Sequence, residues 1–264
     1  MKCHNLLYIC FNRSDLVIKT LSRLLELQWD NIIFYIDGSR NQIEDNEVDL
    51  VRKMVFDLTS KANSNIEIFH RETNYGCRRN IENALSYFFK KYNQGWVFED
   101  DILLKDVEIF DSLRNSWSKT GHLALFNPVK INENQPFRTN NGFYLIWGWY
   151  LDSKNDININ MKFSIKHFVK IIQKRGVLLG LRFCYTYFQT LTNKLDTWDS
   201  LYTNWCIQKN IDSYICPESF VENIGFDQRA THTRIDGISL TNDVFSKNDW
   251  EREFTKFIRN VIRL

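Results

Sequence analysis

Apolar and polar positions alternate along the first hundred residues in a way that predicts strand, helix, strand, helix. Leu6 to Phe11 is a continuous apolar run, as a strand buried on both faces requires. Ser14 then suits a helix N-cap, and Leu16, Leu21, Leu24 and Leu25 fall on one helical face. Ile32 to Ile36 reads as a second strand, Asp49 to Thr59 as a helix and Ile66 to His70 as a third, short strand. Arg79 to Tyr92 has Ile81, Leu85 and Phe88 or Phe89 at helical spacing, and Trp96 to Phe98 closes the series as a fourth strand. This succession predicts an α/β fold, a mostly parallel sheet with helices on both faces.

Beyond this point the pattern loosens. Val107 to Trp117, Met161 to Arg175, Trp198 to Gln208 and Lys247 to Arg263 read as helices. His122 to Phe126, Phe143 to Trp147 and Ser213 to Cys216 read as strands. No repeat, low-complexity tract or Pro/Gly linker divides the chain. One domain is predicted over 1–264, with a nucleotide-binding half (1–120) and an acceptor-side half (121–264) that is largely helical.

Composition narrows the class. The 264 residues are 44% apolar and 15% aromatic, enough for a sizeable ordered core. Thirty-four basic residues against 32 acidic ones leave a net charge of +2, which argues against a nucleic-acid partner. The six cysteines are scattered without a CxxC pair and read as free thiols of a reducing compartment. The start of the chain lacks a basic-then-apolar leader pattern. The longest apolar stretch, Val177 to Leu191, is interrupted by Arg182 and Gln189 and is too short for an ordinary span. A cytoplasmic protein is expected.

The chemistry concentrates at strand ends. Glu99, Asp100 and Asp101 stand consecutively between two apolar runs, Trp96-Val97-Phe98 and Ile102-Leu103-Leu104. Carboxylates drawn toward burial need a partner, and hard oxygen ligands at a strand end suit Mg²⁺ or Mn²⁺. Such a cation can carry a diphosphate and neutralise its charge as it leaves. In parallel sheets, ligands bind at the carboxyl ends of the strands, where Asp37 also falls, although Asp37-Gly38 is equally ordinary turn chemistry. Arg13, Arg78 and Arg79 add forks suited to phosphate oxygens or a sugar, or else are surface cations. The turn after the first strand, Phe11-Asn12-Arg13-Ser14-Asp15, has no glycine, which disfavours a dinucleotide oxidoreductase. No P-loop, HExxH or zinc spacing is present.

Taken in order, Asn12-Arg13-Ser14-Asp15, Ile36-Asp37-Gly38, Asn74-Tyr75-Gly76 and Glu99-Asp100-Asp101 resemble the nucleotide half of GT-A fold glycosyltransferases. The resemblance is to bacterial family-2-like surface-polysaccharide (O-antigen, lipopolysaccharide or capsule) transferases and to the N-acetylglucosaminyltransferases that start complex N-glycans. Trp147-Gly148-Trp149, Trp198-Asp199, Asn223-Ile224-Gly225 and Ala230-Thr231-His232-Thr233 continue the order, so the resemblance spans roughly residues 5–235. It implies a Rossmann-like GT-A sheet and a hexosyl transfer from a nucleotide sugar, a UDP-sugar, to a growing surface or lipid-linked glycan.

The resemblance also implies roles. Asp101 would hold Mn²⁺ or Mg²⁺ under the donor diphosphate, Asp100 would contact the ribose or the metal through water, and Glu99 would orient the site. Asp37, with Arg13 beside it, would contact the nucleoside, and Trp147, Gly148 and Trp149 would form the floor where donor and acceptor meet. The base that takes the acceptor proton would be Asp199 or Asp196. The N-glycan enzymes place a second acid where this chain has Ser200, and Asp199 also suits a helix N-cap. A single base in one displacement implies inversion. His232 would ligate the metal or touch the diphosphate, or is simply a core or surface histidine. A sugar-nucleotide nucleotidyltransferase and a non-catalytic carbohydrate-binding protein are the alternatives.

Lys162, Lys166, Lys170 and Lys174 recur every fourth residue and form a basic helical stripe. Arg175, Arg182 and nearby aromatics follow it, and Lys256, Arg259 and Arg263 add a second basic group. Such faces bind anionic membranes, so a peripheral contact with the inner membrane and a lipid-diphosphate-linked acceptor are expected. A solvated helix face is the plain alternative.

Overall fold

The computed structural model describes residues 4–127, 135–139, 144–153, 155, 157–159 and 164–225, and the backbone of 234–235 and 238–239. Lys162, His232, Ala230 to Thr233 and the basic stretch from Lys247 to Arg263 lie outside the described residues.

Four parallel strands form the N-terminal part of the sheet: β1 (Asn5–Cys10), β2 (Asn31–Ile36), β3 (Asn65–His70) and β4 (Gln94–Glu99). The helices α1 (Ser14–Leu25), α2 (Gln42–Thr59) and α3 (Gly76–Tyr92) connect them. The chain continues through β5 (Ile102–Leu104), α4 (Val107–Ser116), β6 (Gly121–Ala124), β7 (Phe137–Thr139) and β8 (Trp149–Asp152). Next come α5 (Ile165–Arg175), α6 (Val177–Leu191), α7 (Asp199–Lys209), β9 (Ser213–Ile215) and β10 (Val221–Asn223).

The main sheet runs β3-β2-β1-β4-β8-β6-β9-β7, with β8 antiparallel to both neighbours. The order reverses at β1: the chain steps outward to β2 and β3, then returns to place β4 on the other side. The crevice between the carboxyl ends of β1 and β4 is therefore the switch point, the place such sheets offer a ligand.

Side-chain parity builds the two faces. Leu6, Tyr8, Ile32, Phe34, Trp96 and Phe98 pack under α1, α2 and α4 through Val17, Leu21, Val51 and Phe110. Leu7, Ile9, Ile33, Tyr35 and Val97 pack under α3 and the later helices. The same parity turns Glu99 toward the α3 side. Helix α7 buries every residue from Ser200 to Ile207, so it is covered all round rather than amphipathic.

Three expectations are corrected. The strand placed over Phe143 to Trp147 is instead Trp149–Asp152, because it is Trp149 and Tyr150 that pair with Val97 and Trp96 of β4. Ser14 does not cap α1: Arg13 holds the N-cap position, and the Ser14 hydroxyl donates to Glu47 at 3.3 Å. Helix α2 begins at Gln42, well before Asp49, because the Asn41 side chain accepts from the N–H groups of Ile43 and Glu44. Five cysteines, Cys10, Cys77, Cys184, Cys206 and Cys216, are free thiols.

Candidate active site

The switch-point crevice opens into a cavity of about 150 Å³. It is lined by Arg13, Asp37, Arg40, Asn74, Cys77, Asn80, Glu99, Asp100 and Asp196, among others. Five separate parts of the chain build it.

The acidic run turns from β4 into β5. The Asp100 carbonyl accepts from the buried Thr20 hydroxyl at 3.1 Å. Its Oδ2 accepts from the Phe11 N–H at 3.2 Å, and its Oδ1 meets the Arg13 guanidinium. Arg13 also reaches Asp101 Oδ2 at 3.2 Å. β10 pairs with β5 and brings Gly225 onto this cluster. A Cβ at Gly225 would lie 2.5 Å from Asp101 Oδ2 and 2.7 Å from Arg13 Nη1, so only glycine fits.

Charge is unbalanced here. Glu99, Asp100 and Asp101 stand around one guanidinium, Arg13. Burial raises the Glu99 pKa well above the usual carboxyl range, the charges of Asp101, Asp100 and Asp199 add to the rise, and Arg13 opposes it. Asp101 is raised by burial and by Asp100, against Arg13. Burial works against the charge on Arg13, yet Asp100 and Asp101 raise its pKa further above the ordinary range. Among the described residues no hydrogen bond satisfies the Glu99 carboxyl. Three acids share one cation here, and a divalent ion beside Asp101 would favour the ionised forms that burial disfavours. No three acidic, His or Cys side chains form a closed metal cage among the described residues. Mg²⁺-type sites built from one or two carboxylates, waters and substrate phosphates need none. Asp101, the more open of the two Arg13 partners, fits that role.

Asp37 ties β2 to α3. Its Oδ1 accepts from the N–H groups of Gly38 and Tyr75, both at 2.9 Å. Its Oδ2 accepts from the Gly76 N–H at 3.0 Å and from Asn74 Nδ2 at 3.2 Å. Burial raises its pKa against these bonds. It lines the cavity with its acceptor positions already occupied from within the chain.

The α6–α7 connection supplies the remaining acids. Asp196 accepts from the N–H groups of Cys77 and Arg78, both at 3.0 Å, and so caps α3 from a distant part of the chain. Asp199 opens α7, and its Oδ1 accepts from Thr197 Oγ1 and from the Ser200 N–H, both at 2.6 Å. No hydrogen bond reaches its Oδ2 among the described residues, and its charge is felt at Glu99 and Cys77.

The remaining residues singled out from sequence lie elsewhere. Arg78 donates to the Thr190 carbonyl at 2.7 Å, and Arg79 stacks on Tyr75, 4.4 Å from the ring centre. Neither lines the cavity, and neither do Asp101 and Asp199. Trp149 is core, packed on Phe89, His122 and Tyr202. Trp147 packs on Phe126 with centroids 4.5 Å apart. Gly148 (φ +61°) lies behind the acidic run, where a Cβ would press on Val221, Ile102 and Phe98.

Sequence reading missed Asn80 and Arg40. Asn80 is buried, its Oδ1 has no hydrogen-bond partner among the described residues, and it lines the cavity. The signal was a polar residue on the apolar face that Ile81, Ala84 and Phe88 define. Arg40 stands over the Phe11 ring and pairs with Glu44.

No family model matches the chain, and no curated protein matches it in sequence. Among solved structures it is similar to the apo form of WbbM, a bifunctional glycosyltransferase, at 9% identity and a TM-score of 0.36. That match covers 58% of this chain and 32% of WbbM, so this chain spans about a third of that enzyme. It is similar to mouse xyloside xylosyltransferase 1 at 10% identity over 79% of this chain and 83% of that one, TM-score 0.40. It is also similar to 4-diphosphocytidyl-2C-methyl-D-erythritol synthase from Anaerococcus prevotii, at 10% identity over 97% and 99%, TM-score 0.37. At these scores the likenesses assign no chemistry; the class is an α/β protein with an acidic crevice at its switch point.

Proposed function

We propose that this chain is a metal-dependent, inverting glycosyltransferase of GT-A type. It would move a sugar from a nucleotide sugar, a UDP-sugar, to a growing surface-polysaccharide or lipid-linked acceptor. The observation that carries the reading is the switch-point crevice, where Glu99, Asp100 and Asp101 face a single guanidinium.

Asp101, with His232 as a further candidate from sequence, would hold Mn²⁺ or Mg²⁺. The ion would supply charge neutralisation for the departing diphosphate. Arg13 pairs with both Asp100 and Asp101, and Asn80 and Glu99 offer polar groups to the bound donor. Asp199 Oδ2 is the free acceptor that would take the proton of the acceptor hydroxyl. The acceptor hydroxyl oxygen, its proton passing to Asp199, would bond to the anomeric carbon while the bond from this carbon to the diphosphate breaks, and UDP would leave with the electron pair. Asp196 is occupied with α3 and would position Asp199 rather than act as the base.

The test is a panel of nucleotide sugars with Mn²⁺, following slow donor hydrolysis in wild type and Asp101→Ala. Metal-dependent release of UDP from one donor, lost in the variant, supports the transferase. Release of pyrophosphate from a nucleoside triphosphate and a sugar phosphate would overturn it in favour of a nucleotidyltransferase.

A further inference from the structure

Helices α5 and α6 are joined through the single residue Gly176 and pack closely, with Ile172 lying where a Gly180 Cβ would be, 2.6 Å away. Their inner faces bury Ile171, Phe183, Cys184 and Tyr187. The outer face is not polar. Val177, Leu181, Tyr185 and Phe188 repeat at helical spacing along α6, exposed by 66%, 49%, 65% and 45%. Leu191 extends that stripe, and Ile165 and Val169 are exposed on α5. Large apolar side chains gathered on one element in this way mark an interaction surface.

Charge says what covers it. From Ile165 to Leu191 the sequence has no Asp or Glu and five cations, Lys166, Lys170, Lys174, Arg175 and Arg182. The whole chain carries +2, so the remaining sequence is net −3 and the hairpin is the basic pole. Among the described residues no carboxylate pairs with Lys166, Lys174 or Arg182. Lys170 is turned inward, donating to the Gln208 carbonyl at 2.7 Å, and burial, then the neighbouring charges of Lys174 and Lys166, lower its pKa. No helix among the described residues is long and apolar enough to cross a membrane.

We propose that the outer face of the α5–α6 hairpin docks on an anionic lipid bilayer, with Leu181, Tyr185 and Phe188 entering the interface and Lys166, Lys174 and Arg182 meeting lipid headgroups. The sequence pattern suggested the lysine stripe of α5 with Arg175, Arg182 and nearby aromatics; the structure adds that Val177, Leu181, Tyr185 and Phe188 are the exposed apolar residues of α6, the surface that inserts. Leu191, at the end of this stripe, lies five residues before Asp196 and eight before Asp199. If the transferase reading holds, the surface delivers the acceptor end of the crevice to a lipid-borne glycan.

The test is sedimentation of the full chain at low salt with vesicles of phosphatidylcholine alone or mixed with phosphatidylglycerol, run beside calorimetric binding of UDP with Mn²⁺. Wild type should sediment only with the anionic vesicles and be released by salt. Leu181→Gln/Phe188→Gln and Lys166→Gln/Lys174→Gln/Arg182→Gln should each lower vesicle partitioning at least about tenfold, with nucleotide binding unchanged. Absence of wild-type sedimentation overturns the proposal, as does sedimentation that neither variant weakens, which would place the contact elsewhere on the chain. Self-association abolished by the α6 variant without vesicle binding would show the occupant to be a second copy. Intact vesicle binding without nucleotide binding defeats the transferase reading alone.

Discussion

Asp196 accepts the backbone N–H of Cys77 at 3.0 Å, although the two residues are 119 positions apart. With the matching bond from Arg78, this carboxylate serves α3 as an N-cap that the local sequence does not supply, since Tyr75 at the cap position makes no side-chain bond. The contact fastens the α6–α7 connection, and Asp199 with it, to α3. Asp196→Ala should cost about 1 kcal/mol of stability and speed hydrogen exchange at the Cys77 and Arg78 amides, and Asp196→Asn should restore most of the protection. Unchanged exchange in Asp196→Ala would contradict the capping role.

Gly225 is the tightest point of the acidic cluster. Gly225→Ala should cost about 1–3 kcal/mol by forcing Asp101 and Arg13 apart, and should abolish binding of UDP with Mn²⁺. Wild-type binding by this variant would separate β10 from the site.

Arg13 and Asp100 form a nearly enclosed ion pair. Removing one partner strands a buried charge, so Arg13→Leu should destabilise by about 3–5 kcal/mol. The double variant Arg13→Leu/Asp100→Asn should recover part of that loss in denaturant titrations, the coupling a double-mutant cycle measures. Additive losses would mean that the pair contributes nothing jointly.

His122 gives a pH signature independent of the site. It is fully buried between Tyr202 OH at 2.9 Å and the Leu145 carbonyl at 3.0 Å, and burial lowers its pKa to about 3. An unfolded histidine titrates near 6.5, so between those values the unfolded chain binds one more proton. Its contribution to stability is complete above that range and falls by about 1.4 kcal/mol per pH unit as pH drops toward about 3. Unfolding titrations at neutral and mildly acid pH should show this acid loss in wild type and about one proton less of it in His122→Gln. Equal slopes would contradict a buried neutral imidazole.

The half of the fold that positions the site was legible because β1, β2 and β4 are buried on both faces and its helices on one, the edge strand β3 being the exposed exception. Leu6 to Phe11, Ile32 to Ile36 and Trp96 to Phe98 announce themselves as apolar runs, and the acids follow directly at the end of β4. The switch point follows from their order. What was not legible depends on distant contacts. Strands β5 and β10 are three residues each and carry no period, yet their pairing sets Gly225 on Asp101. The first two turns of α2 are too exposed to show an apolar stripe. Asp37 and Asp196 were read as ligand or base from residue type, while their oxygens are engaged by backbone N–H groups that only folding brings near.

The central claim is that the crevice at the ends of β1 and β4 binds a nucleoside diphosphate through a divalent ion. Titration calorimetry of UDP into the protein, with Mn²⁺ and then with the metal chelated, tests it directly. The account predicts saturable binding with Mn²⁺ that is lost on chelation and lost in Asp101→Ala. Binding of equal strength without metal, or undiminished binding in Asp101→Ala, would contradict it.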